Sequence, residues 1–326
     1  MELKFIKCHG SGNDFLILDE YSNPIPLTDD ERAKLTVTLC NREQGVGADG
    51  ILFFQKSEIA DGKMRVFNAD GSEASMCGNG LRCIARYASE LLNKKQLQIE
   101  TMKAVLAVEK TEEIYTNIPT YKVEISPVSF QVSDLPMNID EDTFMNQHVL
   151  LLSANLTFTA VAVPNPHLIS IVDQHIMQSN VQEEISTYVN SENPIFPDGV
   201  NVSFVNLIQE GSIFVRTFER GVGFTNACGT AMSASTLVTC IQNKNAFNQE
   251  ITVYNPGGKV KCIAHNNNDH YSIDLIGNAT FEYEIVLEIT NEASFQIISK
   301  VDFPTEVAAY KQMQEDVHAF LAEHLH

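Results

Sequence analysis

The sequence repeats itself. Met76-Cys77-Gly78-Asn79-Gly80 and Ala227-Cys228-Gly229-Thr230-Ala231 align with a shift of 151 residues, and the same shift brings Arg65 onto Arg216 and Phe67 onto Phe218. In each copy a β-branched and aromatic segment (Met64 to Asn68; Ile213 to Glu219) runs through a glycine-containing turn into Cys-Gly and then into a helix-like segment. Such a chain should fold as two similar α/β halves with a cysteine at the N-terminus of a helix in each. The amides and positive dipole end found there favour an anion, whether thiolate or bound carboxylate. Two thiols on opposite faces of one substrate carbon make a racemase: one removes the α-proton and the other returns one from the far side. A single Cys-Gly would read as a small core residue. Its recurrence inside a long repeat argues for function.

Composition narrows the partners. The formal charge is −20 with no Lys/Arg cluster, which argues against nucleic acid. No apolar run approaches a bilayer span, and the first residues do not read as a signal peptide, so a soluble, cytoplasmic protein without membrane partners is expected. Seven cysteines, odd in number and without a CxxC pair, argue against a disulfide framework and a zinc site. No metal and no cofactor are expected. The assembly state is left open, a homodimer included.

Along the chain, Leu3 to Cys8 reads as a strand entering His9-Gly10-Ser11-Gly12-Asn13-Asp14-Phe15, a turn that lets backbone and a short amide approach a ligand. Asp29 to Cys40 has helical spacing, with Leu35, Val37 and Leu39 imperfectly placed, and Asn41 to Gly50 reads as a glycine-punctuated loop before a strand. After Cys77, the spacing of Leu81, Ile84, Ala88 and Leu91 predicts a helix with one buried face, and Cys83 is expected in the core. Pro127 to Asp142 reads as a link between domains. In the second half, His148 to Leu152 and Thr157 to Val163 read as strands, and Val163-Pro164-Asn165-Pro166-His167 as a rigid loop presenting Asn165 and His167. Asp198 to Val205 echoes Asp49 to Phe54 as turn and strand, with Asn201 at the strand entrance. Glu219-Arg220 could hold an ammonium and a carboxylate respectively, since the guanidinium fork binds carboxylate bidentately. The small residues after Cys228 predict a closely surrounded helix.

These residues resemble the diaminopimelate epimerase family, the cofactor-independent amino-acid epimerases of lysine and peptidoglycan-precursor synthesis. The resemblance covers roughly residues 1 to 288. It rests on the His9 to Phe15 turn, Gly45-Val46-Gly47-Ala48-Asp49, Phe67 to Glu73 with Cys77 to Gly80, Asn165-Pro166-His167, Val200-Asn201-Val202, Glu219-Arg220-Gly221 with Ala227 to Thr230, and Pro256-Gly257-Gly258. It implies a mixed α/β (α+β) fold of two pseudo-symmetric domains, each a curled, mostly antiparallel sheet around a central helix, with the site in the cleft between them. The expected halves are 1–130, carrying Cys77 and completed by a strand near 280–288, and 131–279, carrying Cys228. By position, Cys77 and Cys228 would be the acid/base pair, with the backbone at Gly78, Asn79, Gly229 and Thr230 on the reacting carboxylate. Glu219 and His167 would lie beside the reacting centre and its amino group. Asn13, Asn68, Asn165, Asn201 and Arg220 would bind the substrate, several of them at its distal end.

Three features depart from the family pattern: Phe224 where Glu is common, Gly50 where some members carry Gln, and a tail over residues 289 to 326. In the tail, Tyr310, Met313, Val317 and Phe320, with Leu321, form an apolar stripe on a helix of roughly three turns, to be buried on the chain's own body or at a subunit contact. The activity expected is epimerisation of LL- to meso-diaminopimelate. Alternatives are a racemase of another amino acid such as histidine on the same fold and, from other classes, a non-catalytic binding protein or a thiol redox protein.

Overall fold

The computed structural model describes residues 1–268, 270–291 and 294–325. In chain order the elements are β1 (Glu2–Gly10), β2 (Asn13–Asp19), α1 (Asp29–Cys40), β3 (Gly50–Gln55), β4 (Gly62–Asn68), β5 (Glu73–Ala74), α2 (Gly78–Leu92), β6 (Gln96–Glu100), β7 (Val105–Lys110) and β8 (Thr120–Ile125). After a 3-10 turn at Val132–Asp134 come β9 (Gln147–His148), β10 (Thr157–Val163), β11 (Asn165–Ile171), α3 (Gln174–Met177), α4 (Val181–Val189), β12 (Asn201–Gln209), β13 (Ser212–Glu219) and β14 (Gly223–Thr225). The chain closes with α5 (Gly229–Ile241), β15 (Ile251–Asn255), β16 (Gly258–Asn267), β17 (His270–Asn278), β18 (Thr280–Asn291), β19 (Ser294–Asp302) and α6 (Pro304–His324). Two compact units emerge: Met1–Val123 with Ile276–Met313, and Glu124–Leu275 with Gln314–His326.

The repeat is realised strand by strand. In unit 1, β1 pairs antiparallel with β2, β2 parallel with β3, β3 antiparallel with β4, and β4 parallel with β6. In unit 2, β10, β11, β12, β13 and β15 follow the same sequence of senses. The register repeats too, for Phe15 faces Gly50 in the parallel pair of unit 1 and His167 faces Asn201 in that of unit 2. The echo at the strand entrances therefore aligns Gly50 with Asn201, two residues beyond Gly199. In each unit the sheet curls around a helix: α2 touches β1, β2, β3, β4, β6 and β7, and α5 touches β10, β11, β12, β13, β15 and β16.

Local chemistry explains the helices. Thr28 and Glu31 close a reciprocal capping box at the start of α1, whose Leu35 and Leu39 point inward while Val37 is exposed. That resolves the imperfect spacing. In α2, Leu81, Ile84, Ala88 and Cys83 are buried as expected, but Leu91, in the last turn, is exposed. Every residue of α5 from Gly229 to Cys240 is buried, as its small side chains require.

Three expectations need correction. Only His148 of the run His148 to Leu152 is in a strand; a turn follows, and Leu150 and Leu151 are exposed. Pro127 to Asp142 is not bare connection, because Val132, Leu135 and Met137 enter the apolar core of unit 2. The tail helix runs 21 residues, well beyond three turns, since no glycine or proline interrupts it after Pro304.

The tail docks on the chain itself. Tyr310 and Met313 are buried with Ile118, and Val317 and Leu321 join the core of unit 2, while Phe320 stacks on Tyr254. Glu306 forms a two-pronged ion pair with Arg86 of α2. Glu292, Ala293 and His326 of the tail lie outside the described residues. Met313→Ala should cost about 2 kcal/mol or more, the usual penalty for emptying a fully buried site, read as a lowered thermal midpoint. A chain cut after residue 303 should melt lower still.

Candidate active site

Unit 1 places Cys77 at the N-cap of α2 in extended conformation, its Sγ accepting from the Gly80 amide at 3.4 Å. The helical ladder begins with Leu81 N–H to the Cys77 carbonyl, so the Gly78 and Asn79 amides lie outside it and point from the positive end of the helix. Asn13, the first residue of β2, turns its side-chain oxygen toward this thiol at 3.7 Å and accepts from the Asn79 side-chain nitrogen at 3.2 Å. Its own amide nitrogen donates to Asp49 at 2.6 Å. Close approach makes this possible, because a Cβ on Gly10 would sit 2.8 Å from the Asn79 carbonyl oxygen. Asn68, at the end of β4, donates to the Ser72 hydroxyl at 3.0 Å.

A charged cluster lies behind Asn13. Arg42 bridges Asp14 and Asp49, and Lys7 reaches Asp14 and the Gly47 carbonyl. Burial alone would push the Asp14 carboxyl up, but Arg42 and Lys7 outweigh it and hold it at about 2. The glycine-punctuated loop from Asn41 to Gly50 is thus an ion-pair anchor, signalled in the sequence by Arg42 and Asp49 among its glycines.

Unit 2 places Cys228 at the N-cap of α5, its Sγ 3.5 Å from the Thr230 hydroxyl. Burial, with the Glu219 carboxylate adding to it, pushes the Cys228 thiol well up, so it stands protonated. Glu219 closes β13 and accepts from Thr225 at 2.6 Å, a partner the sequence did not announce. His167 is fully buried with its Nε2 3.0 Å from the Thr230 hydroxyl, and its Nδ1 has no partner among the described residues. Burial, helped by the Arg220 charge, pushes this imidazole down to about 3 and keeps it neutral. Asn165 and His167 do not project from a loop; they begin strand β11, because Val163 and Asn165 close a tight antiparallel hairpin. Asn201 accepts from the Arg220 backbone amide at 2.9 Å, and the Arg220 guanidinium donates to the Asp198 carbonyl at 3.0 Å.

The two departures near these sites have a structural basis. A Cβ on Gly50 would fall 2.3 Å from the Phe67 carbonyl oxygen, so no side chain fits there. Phe224 matches Glu73 in the repeat. Arg65 forms an ion pair with Glu73, whereas Arg216 lies over the Phe224 ring at 5.2 Å and bonds to Gln182. A cation–π contact has replaced a carboxylate. Among the described residues no cluster of His, Cys, Asp and Glu is placed to hold a metal, and no helix is long and apolar enough to cross a membrane.

Two buried imidazoles make stability depend on pH. Burial pushes His9 down to about 4. Both folded values lie below the ordinary 6.5, so between about 6.5 and 4 the unfolded chain binds more protons and stability falls as pH falls. The loss should be about 3 kcal/mol for each imidazole by pH 4, and a His9→Asn protein should show a flatter melting profile from pH 7 to pH 4.

Comparison with known proteins gives the family. The profile of the family described as diaminopimelate epimerase matches twice, over residues 5–124 and 159–282, one match for each copy of the repeat. A Listeria monocytogenes protein named diaminopimelate epimerase is 49% identical over 98% of both chains, and one of the same name from Clostridium acetobutylicum is 46% identical over 97% of this chain and 95% of its own. These matches span nearly the whole chain and so take in most of the tail. Among solved structures, a PhzF-family phenazine biosynthesis protein from Bacillus anthracis superposes with a TM-score of 0.63 at 18% identity, covering 89% of this chain and all of its own. A hydroxyproline epimerase from Agrobacterium vitis, with bound trans-4-hydroxy-L-proline, does so at 0.57 and 13%, covering 89% and 92%. At such identities the likeness is one of fold.

Proposed function

The chain belongs to the diaminopimelate epimerase family, and on that premise we propose that it interconverts LL- and meso-diaminopimelate by passing the α-proton between Cys77 and Cys228 without a cofactor. The observation that carries this is the equivalence of the two cysteines: each caps the helix at the centre of its unit, at matching points of one repeated topology. One sulfur, as thiolate, takes the α-proton; the other, as thiol, gives its proton to the opposite face, and the product leaves with its centre inverted. Proton and charge balance, because the two sulfurs exchange protonation states.

The remaining residues take roles that fit this chemistry. The amides at Gly78, Asn79, Gly229 and Thr230 hold the reacting carboxylate as negative charge spreads onto it. Glu219 takes the substrate ammonium beside neutral His167, whose Nδ1 is available as an acceptor. Asn13, Asn68, Asn165, Asn201 and Arg220 bind the substrate, Arg220 at the distal carboxylate. The halves 1–130 and 131–279 supply one thiol each, and the tail holds its folded place without chemical duty. Cysteines kept as thiols fit a reducing, cytoplasmic setting, and membership of the family fits a place in lysine biosynthesis.

A coupled assay for meso-diaminopimelate, run with LL-diaminopimelate under reducing conditions and without added cofactor, tests the reading. Turnover with solvent deuterium entering the product is expected. A protein that ignores LL-diaminopimelate yet racemises histidine or another single-centre amino acid would overturn the substrate, and a requirement for pyridoxal phosphate or a metal would overturn the mechanism.

A further inference from the structure

We propose that Asp49, braced by Arg42, is a positioning residue for Cys77: its carboxylate fixes the side-chain amide of Asn13 so that the oxygen, and not the nitrogen, faces the thiol. This rests on Cys77 being an acid/base group, as argued above.

The reasoning starts from the two ends of a chain of amides. At one end Arg82, fully buried and a donor only, gives a hydrogen bond to Asn79 Oδ1 at 3.0 Å. That commits the Asn79 nitrogen to Asn13 Oδ1. At the other end Asp49, an acceptor only when ionised, takes the Asn13 nitrogen at 2.6 Å. Its second oxygen is engaged by Arg42 at 2.6 Å, and the Asp14 backbone amide adds a further donor to the first at 3.1 Å. A side-chain amide alone could present either end to a neighbour. Here a guanidinium and a carboxylate, neither of which can exchange roles, impose one sense on the whole relay. The thiol consequently meets an acceptor at Asn13 Oδ1 and a donor at the Gly80 amide. The first receives the S–H when the sulfur carries a proton; the second serves the thiolate. Both states of a two-way acid/base are thereby held in one side-chain position.

The test is the pH dependence of Cys77 alkylation by iodoacetamide in the full-length protein, followed by mass spectrometry of the Cys77 peptide. Asp49→Ala removes one of the two restraints on the Asn13 amide and leaves the weaker one, the Asn79 side-chain nitrogen at 3.2 Å, so that the Asn13 nitrogen can turn to the sulfur. The half-point of alkylation should move to lower pH by about one unit, the size of effect one hydrogen bond to a single protonation state produces. Removing Asp49 also removes a negative charge, so the double variant Arg42→Ala/Asp49→Ala, which removes one charge of each sign, serves as the control. A downward shift that persists in the double variant supports the proposal. A shift confined to the single variant, or an unmoved profile in both, overturns it. Should Asp49→Ala fail to fold, Asp49→Asn keeps the shape but permits both senses of the relay, and here too a smaller downward shift is expected and an unchanged profile overturns the idea. A shift in the variants of a protein whose wild type does not turn over LL-diaminopimelate supports the positioning role while overturning the assigned reaction, so the two claims fail separately.

Discussion

Cys77→Ala and Cys228→Ala proteins are each expected to lose epimerisation by about 10⁴-fold or more while folding normally. Each retains one thiol, but inversion needs an acid and a base on opposite faces, and alanine supplies neither. General acid/base groups contribute about 10²- to 10⁴-fold apiece, and here the missing group also completes the only route to the other isomer. Serine at either place should rescue little, because a hydroxyl at a helix N-terminus is far less acidic than a thiol. Fold is checked by circular dichroism and activity by the coupled assay. Near-normal turnover by either alanine protein would end the two-thiol mechanism.

The second large effect concerns substrate choice. Arg220→Ala should weaken capture of LL-diaminopimelate by about 2 to 5 kcal/mol, since it strands the distal carboxylate without a partner in a closed site. The loss should fall on KM before kcat, because the distal end is remote from the proton transfer. Arg220→Lys should recover only part, as an ammonium restores charge without the bidentate fork. Lysine, which lacks the distal carboxylate, should be a poor substrate for the wild type, and the Arg220→Ala protein should discriminate less between the two. Steady-state kinetics on both compounds decide this. Undiminished preference for LL-diaminopimelate in the alanine protein would remove Arg220 from the distal site.

Much of this architecture is written locally. Helix starts depend on an N-cap and the turn that follows, and strands on alternation over a few residues, so Cys77, Cys228 and the bounds of α1 could be read directly. The repeat then added what local signals lack, by marking two distant places as equivalent. His167 was harder: Pro164 and Pro166 speak for a loop, and only the pairing of β10 with β11 and of β11 with β12 draws the segment into the sheet. The same limit hid the exposure of Leu150 and Leu151, whose apolar run carries no mark of the turn it forms.

What the sequence alone determined is the twofold plan and the place of a cysteine at the start of one helix in each half, because both are set by residues adjacent in the chain or related by a constant offset. The tertiary structure decided the partners. Arg82 and Arg86 sit on a helix face where charge would ordinarily meet water, yet both are buried, Arg82 against Ser11, Asn79 and the Asn278 carbonyl, and Arg86 against Glu306 and the Ala279 carbonyl. Asp49 meets Asn13 across 36 positions of sequence. A buried charge is tolerated only when its partners are already in place. Apart from Asn79, those partners come from segments far apart along the chain, so their meeting is fixed by the packing of strands and helices and not by any pattern within the segments themselves.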